Sequence, residues 1–98
     1  MQKVFEKIEL YLPENWEELA FYAAYTNGSY SMKFFVKTNG RYIDCFNLPN
    51  ADKMKLILLF QSINSDLGLC RKSLKGDKLW TVFSMFVDST GKFKALYD

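Results

Sequence analysis

Hydrophobic and polar residues follow two different spacings along the chain, and each spacing predicts one type of element. In the first segment, apolar residues recur every three to four positions, as on one face of a helix, with lysine and glutamate between them. These apolar positions are Val4, Phe5, Ile8, Tyr11 and Leu12. Because proline cannot continue the hydrogen bonding of a helix, Pro13 predicts that the helix covers residues 2–12.

Between residues 16 and 46 the apolar residues fall at every second position, which is typical of strands. Two Asn-Gly pairs, Asn27-Gly28 and Asn39-Gly40, interrupt this stretch. Asn-Gly suits a type I′ hairpin turn, in which both central residues adopt positive φ. The predicted strands cover 16–26, 30–37 and 41–46. Two such turns between three strands indicate a β-meander.

A second helix is predicted after Leu48-Pro49, with Asn50 as its N-terminal cap. Its apolar positions are Leu56, Leu59, Phe60, Ile63 and Leu67. Ile57 and Leu58 widen this apolar stripe, so we expect the sheet to cover the helix well. Gly68 is expected to end or weaken the helix, and Lys-Gly-Asp at 75–77 to end it at the latest.

Two further strands, over 79–88 and 92–97, are joined by a turn at Ser89-Thr90-Gly91. The element order is therefore α-β-β-β-α-β-β. The predicted fold class is α+β, with a single domain over residues 1–98. We expect two layers, with an antiparallel five-stranded sheet and both helices packed on one of its faces.

The alternation places bulky side chains on the face that two helices would leave open. In the strand 30–37, the residues predicted to face the core are Tyr30, Met32, Phe34 and Val36. Phe35 then points outward between Lys33 and Lys37. In the strand 79–88 one alternating set carries Phe83, Met85 and Val87 and the other carries Trp80, Val82 and Phe86, so both sides of the strand have large apolar groups. Either part of this face is an exposed patch, which is typical of interaction sites, or the chain's own loops cover the rings.

The residue types needed for common catalytic sites are missing. The chain has no histidine, which excludes histidine-based acid–base catalysis and histidine-containing metal sites. Its five glycines are scattered and form no phosphate-binding loop. Cys45 and Cys70 lie 25 positions apart, in no metal-ligand spacing, and are expected to be reduced. We therefore predict no catalytic residue, no metal, no cofactor and no small-molecule substrate.

The aromatic fraction of 17% is high for 98 residues, so we expect some rings to reach the surface. The candidates for partner binding are residues that the core does not need, on the assumption that they share an outward face. They are Tyr22, Phe35 and Tyr42, with Glu17, Glu18 and Asp44 as a polar rim. Pro13 and Trp16 are interpreted as structural, with the indole filling the corner between helix and sheet.

The net charge of +2 is too small to indicate a nucleic-acid or membrane partner by itself. An alternative rests on the run 33–37 and on Arg41-Tyr42, which interleave basic and aromatic residues as in some nucleic-acid-binding sheets. The sequence contains neither a signal peptide nor an apolar run of about 20 residues that could span a bilayer. We expect a cytoplasmic protein without a membrane partner.

Several segments in order resemble the YezG-like immunity protein family. They are Leu12-Pro13-Glu14-Asn15-Trp16-Glu17, Tyr22-Ala23-Ala24-Tyr25, Met32-Lys33-Phe34-Phe35-Val36, Trp80-Thr81, Gly91-Lys92-Phe93-Lys94 and Ala95-Leu96-Tyr97-Asp98. In that family a leading helix ends in a Pro-x-x-Trp motif, a Trp-Thr pair opens a later strand, and a Gly-Lys-Phe turn precedes the last strand. The resemblance extends over nearly the whole chain.

The resemblance implies an antitoxin made beside a secreted LXG-class toxin of Gram-positive bacteria, which belongs to type VII secretion. Known relatives block nuclease domains, so the implied partner is a toxin domain, in particular a nuclease. Nuclease inhibitors are often acidic, whereas this chain is weakly basic. This difference leaves two alternatives: a toxin with another activity, or binding away from the nucleic-acid groove.

Overall fold

The structure is a computed structural model that describes residues 2–26, 29–49, 52–72 and 81–97. The chain begins with helix α1 (Gln2–Glu9) and continues into strands β1 (Glu18–Thr26), β2 (Ser29–Thr38) and β3 (Arg41–Asp44). A short 3₁₀ turn (Cys45–Asn47) leads to helix α2 (Lys53–Lys72). Strands β4 (Val82–Asp88) and β5 (Phe93–Tyr97) complete the fold. The predicted α+β class and element order are confirmed.

The five strands form one antiparallel sheet in the order β3-β2-β1-β4-β5. β1 therefore lies at the centre and pairs along its length with both β2 and β4. Ala20 is opposite Phe35 on one side and opposite Phe86 on the other. The predicted β-meander of the first three strands is confirmed, and α2 carries the chain from the β3 edge back to the other side of β1.

Both helices contribute to one core on the same face of the sheet. Fully buried members come from α1 (Val4, Ile8), from α2 (Leu56, Ile63, Leu67) and from the sheet (Leu19, Phe21, Phe34, Phe83, Met85). The rings of Phe34 and Phe60 meet edge to face at 6.2 Å between centroids. Lys7 joins the two helices, since its Nζ donates to Asp66 Oδ2 at 2.5 Å and to the Ser62 carbonyl at 3.2 Å.

The ends of the helices differ from the prediction in physically clear ways. α1 stops at Glu9, three residues before the predicted Leu12, because Tyr11 N and Leu12 N bond three residues back and form turns. The Asp52 carboxylate caps α2 by accepting a hydrogen bond from Lys55 N at 2.8 Å. Gly68 does not end α2, which continues to Lys72.

The prediction that the sheet covers α2 extensively is wrong for part of the helix. Leu58 is 58% exposed, Met54 66% and Ile57 40%, so the widened apolar stripe turns toward solvent. These three residues follow a spacing of three and four positions and form one apolar strip on the helix. The sheet reaches only the narrower stripe that contains Leu56, Leu59 and Phe60.

The second Asn-Gly pair forms the turn that its sequence predicts. Asn39 has φ 53° and Gly40 φ 76°, the positive values of a type I′ turn, which joins β2 to β3. β3 ends at Asp44, two residues earlier than predicted, where the 3₁₀ turn begins. Tyr30, which was predicted to face the core, is 38% exposed at the start of β2 and contacts the ring of Tyr25.

Some predictions concern positions outside the described residues. These are the Asn27-Gly28 turn, the Asn50 cap, the exit at 75–77 and Trp80. Trp16 is described, and it lies half-buried with its ring centroid 6.1 Å from that of Phe5. It fills the corner between α1 and the sheet, as predicted.

Candidate functional site

The face of the sheet opposite the helices carries aromatic and charged side chains. Alternation along β1 buries Leu19, Phe21 and Ala23 in the core and turns Glu18, Ala20 and Tyr22 to this second face. Among the described residues no helix packs here. We call this surface the open face.

The centre of the open face is a small residue between large rings. Ala20 lies in register between Phe35 and Phe86, and Tyr22 follows it on the same strand. The Tyr22 ring meets both phenylalanines nearly edge to face, at 6.3 Å from Phe35 and 5.8 Å from Phe86. The resulting groove has a volume of about 700 Å³, with Ala20 in its lining. Within the described part of the chain, these rings pack against one another without filling the groove.

A tyrosine and a carboxylate border the groove on the β3 side. Tyr42 is 56% exposed, and its hydroxyl donates to Glu18 Oε2 at 2.5 Å. This hydrogen bond raises the pKa of Tyr42 above 10.0, since losing the phenolic proton would place two negative charges together. Lys37 Nζ lies 5.9 Å from the Tyr42 ring centroid and 3.9 Å from Glu18 Oε2. The three side chains hold one another in place.

The β5 side of the groove is bordered by the turn between β4 and β5. Asp88 Oδ1 accepts hydrogen bonds from Thr90 Oγ1 at 2.5 Å, Thr90 N at 2.9 Å and Lys92 N at 3.1 Å. The hydrogen bond from the Thr90 hydroxyl is the main reason that the pKa of Asp88 lies below its ordinary value of 3.8. The carboxylate therefore organises the turn that positions Lys92 and Lys94 beside the groove.

Replacing Asp88 by asparagine is expected to reduce the dependence of stability on acid pH. Since the folded-state pKa of Asp88 is lowered, the charged carboxylate stabilises the protein above 3.8, and this stabilisation is lost as the pH falls below that value. Melting temperatures followed by circular dichroism should differ most between D88N and wild type at neutral pH and converge in acid. T90V should show part of the same effect. Parallel pH profiles of D88N and wild type would contradict the assignment.

The structure brings four of the six predicted binding residues together. Tyr22, Phe35, Tyr42 and Glu18 all line the groove. Asp44 lies opposite Phe35 in register, but its Oδ1 accepts from Phe46 N at 3.0 Å and caps the 3₁₀ turn outside the groove lining. Glu17 is also outside the lining.

The placement of Glu17 has a structural explanation. Its Oε2 accepts from Gly40 N at 3.2 Å, so the carboxylate belongs to the β2–β3 turn. The backbone of Glu17 makes hydrogen bonds on both sides of the chain. Glu17 N donates to the Lys37 carbonyl of β2, and the Glu17 carbonyl accepts from Ser89 N, just after β4. Neighbouring residues in extended chain point to opposite sides, which separates Glu17 from Glu18.

Sequence reasoning missed the residues that β4 and β5 bring to the groove. The sequence left open which side of its strand Phe86 faces, because both alternating sets carry large apolar groups, and nothing in it showed that β4 pairs with β1. Nothing in the sequence marked Ala20 as a site residue, because an alanine forms the bottom of a groove only when larger side chains lie on both sides of it. Lys94 lies opposite Phe86 in register, and that position depends on the same pairing.

The site has the chemistry of a binding surface. Among the described residues, no three histidine, cysteine, aspartate or glutamate side chains gather where they could hold a metal ion. Cys45 is buried, and that burial raises the pKa of its thiol, so it is a poor nucleophile. In the same part of the chain, neither helix combines the length and apolar content of a membrane-spanning segment. The groove offers apolar contact, lysines and a few hydrogen-bonding groups.

The fold and the open face define a small α+β protein with a one-sided sheet, whose aromatic face is available for contact. The chain belongs to the YezG-like immunity proteins: the family model described as "Immunity protein YezG-like" matches residues 1–98. Membership in an immunity protein family implies an inhibitor of a toxin, without enzymatic activity of its own. No protein with a curated function matches the chain.

Proposed function

We propose that this protein is a cytoplasmic antitoxin that binds and neutralises a cognate secreted toxin of the LXG class. The observation that carries the proposal is the match of the immunity family model to residues 1–98. The toxin would be exported by type VII secretion, and its activity would be that of a nuclease. The antitoxin would act stoichiometrically, without cofactor or turnover.

The geometry of the open face supports binding through Tyr22, Phe35 and Tyr42, with Glu18 at the rim. Aromatic side chains that are partly exposed and held by neighbours lose little conformational entropy on binding, which is why they often dominate interface energies. Tyr22 is fixed by two rings, and Tyr42 by Glu18 and Lys37. Asp44 and Glu17 belong to the proposed site only as outer rim groups beyond the groove: Asp44 lies opposite Phe35 in register, and the Glu17 carboxylate accepts from Gly40 N in the β2–β3 turn.

Co-expression with the toxin domain encoded beside the gene is expected to yield a complex that survives affinity purification and gel filtration. A catalytically silent toxin variant avoids killing the host during expression. Cells that express the active toxin domain should grow only when this protein is also produced, and their DNA or RNA should stay intact if the toxin is a nuclease. Growth arrest despite normal antitoxin levels, together with the absence of a complex, would refute the proposal.

A second candidate function, nucleic-acid binding, is favoured by the two lysine–ring contacts on the open face. Lys33 Nζ lies 5.4 Å from the Phe35 ring centroid, and Lys37 Nζ is 5.9 Å from that of Tyr42. Fluorescence anisotropy with short single-stranded oligonucleotides separates the two functions. Phosphate contacts would make affinity fall steeply with salt, whereas the absence of binding at low salt would exclude this candidate.

A further inference from the structure

We propose that the groove on the open face binds an apolar side chain flanked by carboxylates, presented by an acidic surface of the partner protein. That this partner is a toxin rests on the proposed function, whereas the chemistry of the recognised segment follows from the groove itself. Three observations carry the inference: the shape of the groove, the state of its charged groups and the orientation of its rings.

The shape of the groove indicates an inserted side chain. Across the sheet, Phe35, Ala20 and Phe86 are consecutive members of one row, so a methyl group lies between two phenyl rings. Two residues further along β1, the Tyr22 ring contacts both Phe35 and Phe86 and forms one end of the groove. A volume of about 700 Å³ lined by rings and alanine has room for a large apolar side chain together with the residues that flank it in a short peptide segment.

The carboxylates and the lysines around the groove differ in how many hydrogen bonds and ion pairs they already make within the chain. The carboxylates are engaged: Glu18 accepts from the Tyr42 hydroxyl, and Asp88 accepts three hydrogen bonds from its own turn. The lysines are less engaged. Among the described residues no carboxylate lies within salt-bridge distance of Lys33 or Lys94.

These lysines stand on both sides of the rings. Lys33 and Lys37 flank Phe35 along β2, and Lys94 lies opposite Phe86 with Lys92 nearby on the β5 side. Because neither Lys33 nor Lys94 has a carboxylate partner among the described residues, a partner that brings carboxylates beside them gains ion pairs without displacing existing ones. Lys37, by contrast, already lies 3.9 Å from Glu18 Oε2. A partner that brings lysine or arginine has to compete for carboxylates that are already hydrogen-bonded.

The orientation of the rings favours a protein segment over a nucleic acid. Bases bind single-stranded sites by stacking on free aromatic faces. Here the Tyr22 ring is inclined by 70° to Phe35 and by 82° to Phe86, so Tyr22 and either phenylalanine do not offer parallel faces on which two successive bases could stack. Lys33 Nζ already lies over one face of Phe35.

The inference has a consequence for how a toxin would be held. A nuclease binds its substrate through a basic surface, and such a surface would meet the lysines of the open face with like charge. The protein would therefore dock on an acidic part of the toxin, away from the phosphate-binding groove. Inhibition would then come from distortion or from steric hindrance at the edge of the active site.

Capped pentapeptides test this inference without any toxin. The probes are Glu-Glu-Trp-Glu-Glu, its basic counterpart Lys-Lys-Trp-Lys-Lys, and Glu-Glu-Ala-Glu-Glu, each titrated to millimolar concentration into ¹⁵N-labelled full-length protein. The acidic tryptophan peptide is expected to shift the amide signals of residues 18–22, 33–37 and 84–94. It should bind about tenfold more tightly than the basic peptide and about fivefold more tightly than the alanine peptide.

Two pairs of variants locate the effect. A20L fills the floor of the groove and is expected to weaken binding of the acidic tryptophan peptide about tenfold. Its control is A24L, which places the same side chain two pairs of positions further along β1, outside the groove lining. K94E should weaken binding severalfold, whereas K55E, on the exposed side of α2, should leave it unchanged. K94E keeps the test valid if A20L does not fold.

Several results would overturn the inference. They are equal or tighter binding of the basic peptide, tighter binding of a short oligothymidylate to the same amides, equal binding by A20L and A24L, and the absence of shifts with the acidic peptide. The outcome is separable from that of the proposed function. Toxin capture that is unchanged in A20L and K94E would refute the groove while leaving the antitoxin function intact, and peptide binding without toxin capture would do the reverse.

Discussion

Replacing Phe34 by alanine is expected to lower the free energy of unfolding by about 3–5 kcal/mol, as for other fully buried aromatic residues. Phe34 has no exposed surface, and its ring packs edge to face against Phe60 of α2. Truncation removes one of the ring contacts between the sheet and α2 and leaves a cavity in the core. Urea unfolding followed by tryptophan fluorescence and circular dichroism measures the loss.

The neighbouring residue is a matched control for this prediction. Phe35 carries the same side chain on the opposite face of the same strand, where it is only half-buried. Its replacement by alanine is expected to cost about 1 kcal/mol, because less apolar surface returns to water. F34L keeps the protein folded if F34A does not. Equal losses for F34A and F35A would show that both faces are covered and would contradict an open face.

Phe35→Ala and Tyr42→Ala are each expected to weaken binding of the cognate toxin by more than about 1 kcal/mol, which is a fivefold rise in Kd or more. Phe35 forms one wall of the groove, and Tyr42 is its most exposed ring. Both side chains are held by neighbours before binding, so their contacts are made at a low entropic cost. Isothermal titration calorimetry with the inactive toxin domain measures the change, alongside the melting temperature of each variant.

Tyr30→Ala is the control for the binding prediction. Tyr30 is also an exposed tyrosine of β2, but it lies on the face that carries the helices. Its replacement should leave toxin affinity unchanged within twofold or so. Should Y30A weaken binding as much as F35A and Y42A, the toxin would be contacting the helical side. Should F35A and Y42A both unfold, their rings would be part of the core.

The one-sided arrangement explains how a chain of this size combines a stable core with a binding surface. One face of the sheet buries Leu19, Phe21 and Phe34 under two helices, and that face supplies the folding energy. The other face keeps Tyr22, Phe35 and Phe86 in mutual contact with their outer surfaces available. Rings that support one another stay ordered without a cover, so the surface is ready before a partner arrives.

Much of the fold followed from local patterns in the sequence. Every strand and both helices were predicted at approximately their observed positions, because each pattern reports a local preference for one spacing. The Asn39-Gly40 turn was also predictable, since few other pairs adopt positive φ at both positions. The ends of elements were less accurate, because caps such as Asp52 and the turn at Leu10–Leu12 depend on which hydrogen bonds compete locally.

The candidate site was only partly predictable. Alternation assigned Phe35 to the outward face, Tyr22 was assumed to share that face, and the structure places both in the groove lining. Glu17 and Asp44 were predicted as part of a polar rim beside these rings, but their carboxylates bond to Gly40 N and Phe46 N. Short carboxylate side chains readily bond backbone amides in adjacent turns, and a pattern of polar positions does not reveal which amide is close enough.

The sequence by itself determined the elements, their order and the side of β2 that faces the core, since these depend on residues close together in the chain. Only the tertiary structure decided that β4 pairs with β1, and this pairing sets Phe86 beside Ala20 and brings Lys94 to the groove. The reason is that strand order depends on a pairing across tens of residues, chosen by how the whole core packs. The spacing of apolar residues within a strand does not indicate which other strand it pairs with. The groove therefore could not be predicted from the sequence and is seen only in the assembled sheet.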